Sequence, residues 1–226
     1  VGSPMIDTRS ATLAQIVADS LEQSLKAGVY TCGERLIEMT IAQEMNVSQN
    51  TVRDALRILE QDGWVYKRPR HGVTVRTFTP EEAEELYMLR ATLEQLALRW
   101  MMEQVQQAEH MRLGNILSEA RMQAGTGDTR GLREQLFKFH EQIATVPDRP
   151  QTAQLLVTMW NQVRLLENVR ATHDPYDLNT YAEILTRYGE LLTYIRYGEC
   201  DAAHKLIYDI IMDDCRTLLP VLDLVL

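Results

Sequence analysis

The stretch from Gly33 to Val75 constrains this chain more than any other. It reads as helix, tight turn, helix and then a short basic hairpin. Ser48 stands where a helix wants its N-cap, and Val52, Leu56 and Leu59 recur behind it at helical spacing. Ala55 on the same side leaves room for a close neighbour, while Arg53 and Arg57, four apart, share another face. An α-helix fits the major groove of duplex DNA and lets its side chains reach base edges. A helix anchored by one apolar side and carrying arginines on another therefore points to DNA as partner.

The flanking pattern completes a small domain. Leu13, Ile16, Val17, Leu21 and Leu25 predict a helix over 11–26, which Gly28 stops. Leu36, Ile37, Ile41 and Met45 predict a second, short helix over 36–45, and Asn46-Val47 a tight turn. Gly63 ends the third helix. Trp64-Val65-Tyr66 and Val73-Thr74-Val75 are β-prone, with Pro69 and Gly72 between them, so they read as a hairpin wing. Setting aside Val1–Pro4 ahead of Met5, residues 5–78 form a winged helix-turn-helix domain.

Thr79-Pro80-Glu81-Glu82 then gives a capping box with Pro at the first helical position. Downstream, 79–226 reads as helices over about 80–104, 107–124, 129–145, 150–172, 178–197 and 199–218, separated by Gly, Pro and Asp. The fold class is mainly α: a winged helix-turn-helix followed by an all-helical bundle.

A net charge of −9 looks wrong for a DNA binder until it is located. Residues 8–78 carry nine Lys/Arg against eight Asp/Glu, and residues 79–226 carry fourteen against twenty-three. Between Gly63 and Phe78, Lys67, Arg68, Arg70 and Arg76 meet no acid at all. Only the field near the phosphates has to be positive. Cys32, Cys200 and Cys215 are odd in number and form no CxxC pair, which suits a reducing cytoplasm. No apolar run is long enough to span a bilayer, so no membrane partner is expected. A helical bundle could house an enzyme, but no nucleophile motif, phosphate loop or metal set is found.

With these motifs placed, the chain resembles the GntR family of bacterial transcription regulators, and within it the FCD subfamily, named for the C-terminal domain of the fatty-acid regulator. Gly33-Glu34-Arg35-Leu36, Glu38, Ile41-Ala42, Val47-Ser48, Val52-Arg53, Ala55-Leu56, Leu59, Gly63 and Gly72 carry the likeness in the first half. Arg90-Ala91-Thr92-Leu93-Glu94 and Phe139-His140 carry it in the second. The resemblance implies a homodimer on a palindromic double-stranded operator, with a small organic acid, often carboxylate-bearing, changing operator affinity. It implies a regulator, commonly a repressor, and not an enzyme.

The resemblance also implies site residues. Arg53 matches an arginine that contacts base or phosphate, and Arg35 and Arg57 are further candidates. Ser48, Gln49, Asn50 and Thr51 open the recognition helix, where side chains meet bases. Arg70, His71 and Gly72 form the wing tip, and His71-Gly72 matches a pair that enters the minor groove. The family usually has Arg where Gln49 stands. Arginine reads guanine bidentately and glutamine favours adenine, so a shifted operator preference is expected.

In the second domain, Arg90 matches an arginine that faces the effector, although Glu94, four residues on, offers it an ion pair instead. His140 and Tyr188 would supply further hydrogen bonds to a ligand. Many FCD domains hold a divalent metal with one Asp and three His, but here Leu136, Tyr188 and Ile210 stand in three of those places and only His140 remains. No metal or other cofactor is expected. The signal is then a ligand held without metal, a more apolar ligand, or no ligand, leaving a regulator that acts without one.

Overall fold

The computed structural model describes residues 12–68, 72–104 and 107–225. They fall into two compact units. One reaches Thr77 and takes in the short stretch Arg164–Asn168, and the other comprises Phe78–Val163 and Val169–Leu226.

The first unit begins with α1 (Leu13–Lys26), whose N-cap Thr12 accepts from the Gln15 N–H. β1 (Arg35–Leu36), α2 (Glu38–Glu44), α3 (Gln49–Gln61), β2 (Val65–Arg68) and β3 (Gly72–Val75) follow. α1 and α2 both pack on α3. The core is Val17, Leu21, Leu25, Ile41, Val52, Leu56, Leu59 and Trp64, all at 3% exposure or less. Burying each such side chain contributes about 1.5–3 kcal/mol, which is what holds these short helices.

Two expectations are corrected here. The second helix does not begin at Leu36: Arg35 and Leu36 pair with Thr74 and Val73, giving a three-stranded antiparallel sheet in the order β1-β3-β2. Leu36 is buried in that sheet and Ile37 is exposed. Leu13 and Ile16 are not on the apolar side of α1 but exposed, and Ala18 takes their place beside Val17. Ala11, expected to open α1, lies outside the described residues, as do Pro69, Arg70 and His71 of the wing tip.

The second unit is α4 (Pro80–Gln104), α5 (Gln107–Thr126), α6 (Thr129–Thr145), α7 (Pro150–His173), α8 (Leu178–Tyr197) and α9 (Cys200–Val225). The Thr79 hydroxyl and Glu82 carboxylate form the reciprocal capping box at the start of α4. α4 packs on α9 and α6, α5 on α6 and α8, and α8 on α9. The last helix runs past residue 218 and through Pro220. Proline removes one backbone donor there, but Leu218, Val221 and Leu222 are buried around it, and that burial sustains the helix.

A polar clamp ties α4, α7 and α9. Arg170, 2% exposed, donates to the Asp214 carbonyl at 2.7 Å and the Thr217 hydroxyl at 2.6 Å, and pairs with the Asp214 carboxylate at 3.1 Å. Tyr87 and Tyr176 donate to the same carboxylate.

Candidate DNA-binding surface and effector site

Ser48 caps α3 by accepting from the Thr51 N–H at 3.1 Å, and its hydroxyl meets that of Thr51 at 2.8 Å. Both hydroxyls are thereby engaged in starting the helix. Gln49 and Asn50, in the first turn, are exposed. Because Val52, Leu56 and Leu59 are buried, Gln49, Asn50, Arg53 and Arg57 are turned outward together.

Arg53 is held on two sides. Its Nε and Nη2 donate to the two carboxylate oxygens of Glu38 at 3.3 and 2.8 Å, and its Nη1 donates to the Asn50 side-chain oxygen at 3.2 Å. Glu38, first residue of α2, is fifteen positions away in sequence and gave no signal by spacing. Its hydrogen bonds and charge raise the Arg53 pKa further above its ordinary value. Arg57 only pairs with Asp54 at 3.1 Å on the open surface, an arrangement that contributes little.

Arg35 enters through the sheet. β1 pairs with β3, and the Arg35 guanidinium lies over Gly72, where a Cβ would stand 3.3 Å from its Nε. Gly72 has φ +84°, so a side chain at this position at the base of the wing would be strained, and its Cβ would also press on the Arg35 guanidinium. Arg68 lies over the Tyr66 ring at 4.9 Å. Arg35, Gly72 and the outward face of α3 thus belong to one small unit, whereas Arg70 and His71 fall outside the described residues.

In the helical unit the expected residues come together around one that was expected only as an alternative partner. Glu94 is completely buried. Its carboxylate accepts from Arg90 Nε at 2.7 Å, from the Trp160 indole at 2.7 Å and from His140 Nδ1. His140 Nε2 meets the Tyr188 hydroxyl at 2.5 Å. Phe139 packs edge-on against Tyr188 at 5.2 Å between ring centroids. α4, α6, α7 and α8 each contribute to this cluster.

Burial alone would raise the Glu94 carboxyl. His140 and Arg90, with the hydrogen bonds from His140 and Trp160, outweigh it and bring the pKa to about 2, against an ordinary 4.5. Glu94 is therefore an acceptor only, and His140 Nδ1 faces it as a donor. Arg90 makes the ion pair with Glu94 and is 4% exposed. Among the described residues it hydrogen-bonds through Nε alone, which leaves the terminal amino groups of its fork for another acceptor.

A divalent metal held as in the metal-binding relatives does not fit these residues. His140 faces Glu94 through Nδ1, as metal-binding histidines often face a carboxylate, but its Nε2, the nitrogen left for a metal, meets the Tyr188 hydroxyl. Leu136 and Ile210 offer no donor. Among the described residues, no three His, Cys, Asp or Glu side chains gather closely enough to hold an ion. None of the helices described is long and apolar enough to cross a membrane.

Comparison with known proteins finds two family models in this chain. Residues 13–75 match the model for bacterial regulatory proteins of the gntR family, and residues 85–212 match the FCD domain. An uncharacterized HTH-type transcriptional regulator of Bacillus subtilis, YdhC, is 26% identical over 207 residues, covering 91% of this chain and 90% of that protein. The Exu regulon transcriptional regulator of Escherichia coli K12 is 28% identical over 184 residues, covering 75% and 67%. The crystal structure of a putative GntR transcriptional regulator from Rhodococcus sp. RHA1 superposes with a TM-score of 0.79 at 26% identity, over 93% of this chain and 99% of that one.

Proposed function

The chain belongs to the GntR family of bacterial regulatory proteins and carries the FCD domain, and on that premise we propose that it is a homodimeric repressor whose hold on a palindromic operator is controlled by a small organic acid. Proteins of this family are transcriptional regulators that bind DNA, not enzymes. The observation that carries the reading is α3, anchored by Val52, Leu56 and Leu59 while Gln49, Asn50 and Arg53 face outward. Two such helices about 34 Å apart, one per protomer, would read two half-sites a helical turn apart.

Gln49 sits in the first turn of α3, close to where bases lie. Replacing it with arginine (Gln49→Arg) is expected to change the consensus recovered from a randomised duplex library toward guanine at one position per half-site. A good bidentate contact discriminates by about 1–3 kcal/mol, so the change is easily read. An unchanged consensus would sink the assignment of Gln49 to a base.

The proposed effector carboxylate sits on the terminal nitrogens of Arg90, beside His140 and Tyr188, without metal. A guanidinium fork suits a carboxylate bidentately. Leu136 and Ile210 point to a ligand with an apolar body. Repression released by ligand is the commoner arrangement in the family, and it is assigned here too.

A thermal-melt screen of the purified protein against small mono- and dicarboxylates tests this half. A ligand at a hundred times its Kd stabilises by about 2.7 kcal/mol, several degrees for a chain of this size. The expected result is a rise with at least one acid that disappears in Arg90→Lys, which keeps the charge and loses the fork. No rise with any acid retires the effector and leaves the DNA-binding half standing.

A further inference from the structure

Arg53 is the arginine best placed on the outward face of α3, yet it does not stand free. A guanidinium has five N–H donors. Glu38 takes one from Nε and one from Nη2, and Asn50 takes one from Nη1. Among the described residues one donor remains on each terminal nitrogen, enough for a single bidentate acceptor. The charge is matched as well: Glu38 lies 2.8 Å from Nη2, so the pair as a unit is neutral.

These facts separate two jobs that an arginine can do on DNA. Neutralising a phosphate releases counterions and binds every sequence alike. Donating two parallel hydrogen bonds to a base edge depends on geometry and distinguishes sequences. A neutral pair with a fixed fork is poor at the first and well suited to the second. Stability does not account for the pair, because both side chains are partly exposed, 46% for Arg53 and 31% for Glu38, and such bridges add little.

We propose that Glu38 is a specificity-determining residue: by clamping Arg53 together with Asn50, it turns that arginine from a general phosphate binder into a fixed reader of one base edge. Glu38 itself touches no DNA and acts as a positioning residue. The inference rests on α3 being the recognition helix.

The test compares full-length wild type, Glu38→Gln and the double variant Glu38→Gln/Arg53→Gln, with Arg53→Gln as the fourth corner of the cycle. The probes are the best duplex that the wild type enriches from a randomised library and an unselected duplex of equal length, each titrated over a series of salt concentrations. Glu38→Gln frees Arg53 to move and restores its net charge. Affinity for the unselected duplex is expected to rise, and the slope of log affinity against log salt to steepen by about 0.9. The ratio of selected to unselected affinity is expected to fall about tenfold. Melting temperature moves by about 2 °C or less, as it would for any surface bridge. In the Arg53→Gln background, Glu38→Gln loses its effect on the ratio.

An unchanged ratio, or a fall that persists at full size without Arg53, overturns the proposal. A wild type that enriches no sequence at all defeats the recognition-helix reading, and the inference with it.

Discussion

Glu94→Ala is expected to lower the stability of the helical unit by about 3–5 kcal/mol, because it leaves the Arg90 charge buried without its partner. The same change deprives the Trp160 indole and His140 Nδ1 of their acceptor. Domains of this kind are stable by only about 5–15 kcal/mol, so the loss is a large fraction of the whole. Urea unfolding of the full chain checks it, with the midpoint expected to fall by about 2 M. Removing both charges, in Arg90→Met/Glu94→Gln, is expected to cost less than either single change, since a buried pair replaced as a unit is often nearly neutral. A double variant as unstable as the sum of its singles would mean that the two side chains are not coupled as described.

The cluster also sets a pH dependence. The Glu94 carboxyl has a lower pKa folded than its ordinary 4.5. The unfolded chain therefore binds that proton first, and stability from Glu94 is complete above about pH 4.5 and declines as pH falls below it. The Glu94→Gln variant lacks this component of the acid transition, while its stability at neutral pH is lower throughout.

The second large expectation concerns coupling. If the acid binds at Arg90 and relieves repression, it must favour the arrangement that holds the operator poorly, and by linkage the operator must weaken the acid by the same factor. Couplings of this sort run to about 5–150-fold. The cluster suits such a role because it joins four helices through one carboxylate, so a ligand that draws on the Arg90 fork also bears on His140, Trp160 and Tyr188.

Much of this was legible in the residues. Val52, Leu56 and Leu59 on one side of a Ser48-capped helix, and the Thr79 box, specify their elements locally, and the structure carries both as read. Leu36 was misplaced because a two-residue strand has no period to detect; its partner Val73 lies far along the chain. Leu13 and Ile16 fit a helical stripe at the first turn of α1, but apolar spacing does not say where the packing surface ends. Pro220 shows burial overriding a local breaker.

In the sites, the family likeness carries Arg53, Arg90, His140 and Tyr188 and includes Glu38 and Glu94 among its matching residues, but it does not give the reach of these two carboxylates. Glu38 reaches Arg53 across 15 residues, and Glu94 reaches His140 and Trp160 across 46 and 66. A matching motif places a carboxylate in the sequence but does not say which distant side chains meet it, so only the fold identifies these two as hubs.

In the proposed function an acid site in the helical unit governs DNA affinity. The most direct measurement is the anisotropy titration of the library-selected duplex with the full chain, with and without a saturating acid taken from the melt screen. The Kd for DNA is expected to rise at least fivefold with the acid. Calorimetry is expected to find the acid binding the protein–DNA complex more weakly by the same factor. An acid that binds the protein tightly and leaves the Kd for the selected duplex unchanged would contradict it.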